Sequence, residues 1–138
     1  MLNKNPSLLL KSVNVRVTQQ RETVLAYLIE KAQPIRHAEL IDELKPYHIE
    51  RVTLYRVLSK LMDVGLVHRV QGSDGTWRYC AHDLSEEHCP GGHPHFLCEK
   101  CGDMICLEGQ RLPRVEVPKG YEVHNKQFLL QGYCNRCK

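Results

Sequence analysis

The chain has 138 residues, a length for one ordinary domain or two small ones, and the smaller of two such pieces would be marginal without a staple. No stretch approaches the roughly 18 apolar residues of a membrane span, and no charged N-terminal segment leads into a long apolar run, so a cytoplasmic protein with reduced thiols and no membrane partner is expected. The net charge is only +3, but residues 1–83 carry 12 Lys and Arg against 9 Asp and Glu while residues 84–138 carry 7 of each, an asymmetry compatible with a nucleic-acid partner.

The cluster Leu8, Leu9 and Leu10 predicts a short helix or arm at the N-terminus. Thr18 has the side chain of an N-cap for a helix through residue 31, where Val24, Leu25, Leu28 and Ile29 recur at helical spacing. Pro34 opens a second predicted helix over 35–44, and Pro46 closes it. A third helix, from about residue 50 to 63, carries Leu54, Val57, Leu58 and Leu61 in the i, i+3, i+4, i+7 stripe of a core-facing helix, and Gly65 ends it. Away from the stripe lie Arg51, Thr53, Tyr55, Arg56 and Lys60. These offer the guanidinium, hydroxyl and aromatic groups that meet base edges and phosphates, although a merely solvated face has the same composition.

Residues 66–70 and 76–80 read as two strands joined by a Gly- and Asp-containing loop. Three helices followed by a hairpin make a winged helix, in which the third helix enters the major groove and the wing, here with Arg69 and Arg78, flanks the backbone. A His- and Cys-rich connector over 84–95 then leads to residues 96–138, where apolar runs at 96–98, 104–107, 115–117, 121–123 and 128–130 predict a small β-rich unit. The expected class is α+β, with a winged-helix domain over 1–83, a hinge over 84–95 and a β-rich domain over 96–138.

All seven cysteines and six of the eight histidines lie from His68 onward. Cys98-x-x-Cys101 and Cys134-x-x-Cys137 can place four thiolates around one tetrahedral ion, the arrangement of a structural zinc site. Two disulfides or two redox pairs are the competing explanation, disfavoured by a reducing compartment. A second site is expected from His68 and Cys80, which share a face as diagonal cross-strand neighbours if the turn centres near Ser73, together with His93 and His95, two apart on an extended segment. One Cys and three His favour zinc over oxygen-preferring cations, and ligands drawn from both halves would make occupancy control the angle between them. Cys106 and Glu108 could substitute for one ligand, as could Cys89 and His88.

The motifs Thr18-Gln19-Gln20-Arg21, Val52-Thr53-Leu54-Tyr55-Arg56-Val57-Leu58, Gly65-Leu66-Val67-His68, His93-x-His95-Phe96-x-Cys98-x-x-Cys101-Gly102 and Gly132-Tyr133-Cys134-x-x-Cys137 together resemble the ferric uptake regulator (Fur) family of metal-sensing bacterial repressors. The resemblance implies a homodimer with winged-helix DNA-binding and β-rich dimerisation domains, closing on AT-rich operator palindromes when corepressor metal is bound. It makes Cys98, Cys101, Cys134 and Cys137 the structural zinc ligands, and Tyr55 and Arg56 the DNA-contacting pair. Iron-type members place a Glu where the second wing strand ends, and this chain has Cys80 there, which is similar to the zinc uptake regulator (Zur) subgroup. The family's acidic ligand after the second knuckle cysteine falls on Cys106, and the positions of a frequent additional site fall on Pro94, Pro113 and Lys126. A variant of that site would draw on His124 with His88 or Glu108.

The expected function is a zinc-sensing repressor of zinc-uptake genes, with one structural and one regulatory Zn2+ per chain. The alternative keeps the repressor and changes the signal to ferrous iron, another metal or peroxide. A zinc hydrolase or deaminase is disfavoured: the His-x-Glu with Pro-Cys-x-x-Cys pattern is missing, and four protein ligands would leave no open position for a reacting water.

Overall fold

A computed structural model of the chain describes residues 5–81, 94–107, 110, 112–124 and 126–138. The chain divides into two compact units, Met1–Glu86 and Glu87–Lys138.

The first unit runs α1 (Pro6–Ser12), α2 (Gln19–Lys31), β1 (Ile35–Arg36), α3 (His37–Leu44), a 3-10 turn (Lys45–Tyr47), α4 (Arg51–Asp63), β2 (Val67–Gln71) and β3 (Trp77–Ala81). Thr18 caps α2 as its sequence suggests, its hydroxyl accepting from the Arg21 amide at 3.2 Å, while the Arg21 guanidinium donates to the Arg16 carbonyl at 2.8 Å and fixes the chain's entry. The stripe of α4 packs as expected: Leu54, Val57, Leu58 and Leu61 join Leu10, Leu25, Leu28, Leu40, Leu44 and Leu66 in one core. Burying each such side chain contributes about 1.5–3 kcal/mol relative to leaving it in water.

The structure corrects the sequence reading in three places here. The second helix starts at His37, not at residue 35, because Ile35 and Arg36 are drawn into a sheet opposite Tyr79 and Arg78, giving the order β1-β3-β2. The buried, β-branched Ile35 gains more as a strand residue than as the first turn of a helix. The hairpin strands also lie one residue later than expected. Its turn centres on Asp74, where the Gly72 amide reaches the Thr76 carbonyl at 3.0 Å, the Thr76 amide reaches Asp74 Oδ1 at 3.0 Å, and Gly75 takes φ +79°. His68 is therefore directly opposite Cys80, not diagonal to it.

The third correction concerns Arg78. It was expected beside the DNA backbone, yet it is 1% exposed and its guanidinium forks onto Asp74, with nitrogen to oxygen distances of 2.9 and 3.2 Å, and also donates to the Thr76 carbonyl. This side chain shapes the wing loop instead of facing solvent. The β2 and β3 pairing sorts the rest: Tyr79, Val67, Trp77 and Ala81 turn to the helical core, while His68, Val70, Arg78 and Cys80 share the other face and are buried there.

The second unit holds β4 (His95–Cys98), β5 (Met104–Cys106) and β6 (Leu129–Gly132) in the order β5-β4-β6, antiparallel between β4 and β5 and parallel between β4 and β6. His95 opens β4 and so belongs to the sheet, not to the connector whose residues 84–93 lie outside the described ones. The runs at 115–117 and 121–123, expected as strands, form no strand among the described residues and leave Val115 78% and Tyr121 71% exposed.

Arg78 holds the Asp74 carboxyl down at about 2 from 3.8. A depressed carboxyl stabilises the fold above its ordinary value and ceases to do so as pH falls through the lowered one. Asp74 is 44% exposed, so solvent screening trims the gain, and Asp74→Ala should cost about 1 kcal/mol at pH 7. Thermal melts of both proteins check this: the gap should narrow as pH drops below 3.8 toward 2.

Candidate metal centre and nucleic-acid interface

The parallel register sets Cys98 opposite Gly132, which brings the turn after β4 beside the segment after β6. The Glu99 amide, donating to the Gly132 carbonyl at 2.8 Å, locks that approach, while the Cys98 amide donates to the Asp103 carbonyl at 2.9 Å and closes the turn between β4 and β5. Each Cys-x-x-Cys then folds as a tight turn, with the Gly102 amide on the Cys98 carbonyl and the Cys137 amide on the Cys134 carbonyl, both at 3.0 Å. The result gathers the sulfurs of Cys98, Cys101, Cys134 and Cys137 within 4.8 Å of one another, as thiols and not disulfides. Among the described residues this is the one group of three or more such side chains that could hold a metal ion.

The site's electrostatics favour an ion. The amides of Cys101 and Cys134 donate to Cys98 Sγ at 3.5 and 3.4 Å and bring its thiol down to about 6. The neighbouring sulfur of Cys134 pushes Cys137 up to about 12. Four thiolates this close repel one another unless a cation stands among them. Outside them, Arg136 donates to Asp103 at 2.5 Å, joining the two knuckles through a carboxylate and a guanidinium. Four sulfur ligands suit zinc and leave no open position, which fits a structural role and not a catalytic one.

The residues expected to form a regulatory site fall in both units. His68 and Cys80 are a cross-strand pair on the buried wing face of the first unit. His95 is buried in β4 of the second unit, where its backbone partner in β5 is Cys106. His93, His88, Cys89 and Glu108 lie outside the described residues. His124 is on the surface, 3.6 Å from Glu122.

On α4, Arg51, Tyr55, Arg56 and Lys60 are exposed as the sequence suggests, and Thr53 is half-buried. Sequence reasoning passed over Val52, which is 62% exposed on the same side as Tyr55, three residues on. Its place off the apolar stripe was the available signal, because an exposed valine beside a tyrosine offers apolar contact to a thymine methyl. In the wing, the Arg69 guanidinium sits 4.1 Å from the centre of the Trp77 ring, a cation over an aromatic face.

Residues 12–131 match the ferric uptake regulator family. The chain belongs to that family. It is 29% identical over 136 residues to the ferric uptake regulation protein of Bacillus subtilis, covering 93% of this chain and 89% of that protein. It is 27% identical over 135 residues to the peroxide-responsive repressor PerR of Staphylococcus epidermidis, covering 94% and 85%. Among solved structures, a zinc uptake regulator complexed with zinc and DNA aligns with TM-score 0.67 at 22% identity, over 94% of this chain and 88% of that one. The Vibrio cholerae ferric uptake regulator aligns with TM-score 0.63 at 23% identity, over 96% and 100%. The α+β fold is thus that of the ferric uptake regulator family, whose members are transcription regulators, and the chain is a metal-sensing regulator and not an enzyme.

Cys98→Ser should release the ion held by the knuckles. Metal content after gel filtration should fall by one zinc per chain, and an unchanged content would show that the four sulfurs are not the site. Asp103→Ala, which frees Arg136, should weaken zinc by the roughly 10–100-fold typical of lost outer-shell partners, read by competition with a chromophoric chelator.

Proposed function

We propose that the protein is a zinc-responsive repressor of the Zur type, controlling zinc-uptake genes. The observation that carries this is the direct pairing of His68 with Cys80 on a buried face of the wing. A thiolate and an imidazole at adjacent positions prefer zinc to harder cations such as manganese or magnesium. In this proposal His93 and His95 complete the regulatory site, the connector that ends before β4 at residue 94 acts as the hinge, and one structural and one regulatory zinc belong to each chain. Cys106, as the backbone partner of His95, is the natural reserve ligand, with Glu108, His88 and His124 as candidates for a further site.

The protein acts as a cytoplasmic homodimer on an AT-rich palindrome. The exposed Val115, Tyr121, Val123 and Leu130 support self-association through the second unit, since apolar side chains so open in one chain gain by meeting a second copy. Val52 and Tyr55 of α4 meet thymine methyls and base edges, while Arg51, Arg56, Lys60 and Arg69 neutralise phosphates. Zinc bound by both units favours the spacing that fits the two half-sites, and its loss lets that spacing spread over geometries that bind poorly. The likeness to ferric and peroxide-responsive relatives favours a second reading, in which the same site answers to iron or peroxide.

Cys80→Ser separates these ideas. It should leave a folded dimer with its structural zinc and abolish zinc-dependent DNA binding, measured by fluorescence anisotropy with buffered free metal. A wild-type zinc response in the variant would refute the regulatory site, and a response to ferrous iron alone in the unaltered protein would select the second reading.

A further inference from the structure

The exposed side of α4 is tied to the wing by a side chain that belongs to neither. His37, the first residue of α3, lies with its ring centre 6.4 Å from that of Tyr55 at an interplanar angle of 80°, and 5.9 Å from that of Tyr79 at 49°. Tyr79 is buried in the middle strand of the wing sheet, where its backbone is opposite both Ile35 and Arg69. Tyr55 is 58% exposed on α4. One imidazole thus bridges a fixed ring of the wing and an exposed ring of the helix, in the edge-on and tilted arrangements that aromatic pairs prefer.

The bridge is built for a neutral ring. Nε2 of His37 is buried with no hydrogen-bond partner among the described residues. A neutral imidazole protonated on Nδ1 can leave that nitrogen as a bare acceptor, whereas an imidazolium would bury an unmatched N–H. The groups that face it are Tyr55 and Arg51 from α4 and Tyr79 from β3, and the Arg51 guanidinium disfavours a positive charge on the ring. Burial first, and Arg51 second, hold its pKa below 6.5.

We propose that His37 is the positioning residue of the DNA-reading surface: its neutral ring, clasped between Tyr55 and Tyr79, sets the direction of the Tyr55 phenol and makes α4 and the wing one rigid unit. This rests on the DNA-binding function proposed above. Because the packed arrangement prefers the neutral ring, its contribution is complete above pH 6.5 and is lost as pH falls through the lowered pKa of the folded protein.

The experiment uses the full-length zinc-loaded protein and a duplex that it selects from a randomised pool, with a scrambled duplex as control. Failure to select any sequence would overturn the DNA-binding function itself, whatever His37 does. Given a selected duplex, His37→Ala should weaken its binding roughly tenfold, the scale of one or two aromatic pairs, and leave the scrambled duplex within about twofold. In a Tyr55→Ala background the same change should cost almost nothing, because the ring it orients is gone. His37→Phe keeps the packing and removes the titration, so it should match the wild type at pH 7.5 and bind increasingly better than it as pH is lowered through the depressed pKa of His37. The other histidines are the same in both proteins, so their effects cancel in that ratio. Unchanged selectivity in His37→Ala, an equal loss with and without Tyr55, or a ratio of His37→Phe to wild type that stays flat with pH would each overturn the proposal; should His37→Ala not fold, the pH ratio alone decides.

Discussion

Four sulfur atoms within 4.8 Å of one another are the constraint on which the second unit depends. Among its described residues the buried apolar side chains are Pro94, Leu97, Cys98 and Met104, too few to hold a sheet of three short strands in water. A parallel pair such as β4 and β6 also needs a long return connection, here residues 99–128, whose closure costs entropy. An ion shared by both knuckles would offset that cost, since structural zinc binding contributes on the order of 10–16 kcal/mol in small metal-dependent domains. The two Cys-x-x-Cys turns therefore substitute for the core that the unit lacks.

The first unit has the opposite economy, with a continuous leucine-rich core. Cys80 and Tyr79 are neighbours on β3 and project to opposite faces, Cys80 toward the side that carries His68 and Tyr79 toward the helices, where His37 and Tyr55 follow. In the proposed function, a zinc ligand on one side of a single strand and the DNA-reading side chains on the other share one rigid backbone. Arg78 and Asp74 close the hairpin at its far end and keep that strand from fraying.

Much of this was legible from the residues. The α4 stripe, the Thr18 cap and the four knuckle cysteines are local or spacing signals, and each lies where its pattern places it. What escaped depended on partners distant in the chain. Ile35 and Arg36 look like a helix start until β3 offers them a ladder, and Arg78 looks like a phosphate contact until the turn proves to centre on Asp74. The same one-residue shift moved His68 from a diagonal to a direct partner of Cys80. Residues 115–117 and 121–123 have strand-like composition but no strand partner among the described residues, and periodicity reports composition without reporting a partner. His37 carried no pattern at all, because its role comes from two tyrosines 18 and 42 positions further along.

The central claim is that one zinc holds the second unit together while another governs DNA binding. The most direct test is zinc per chain, measured together with affinity for a selected duplex, while a mild chelator is titrated in. The account predicts two zinc ions at the start, one lost in parallel with DNA binding and one retained by a protein that stays folded. Loss of both ions together, or loss of one with DNA affinity unchanged, would contradict it.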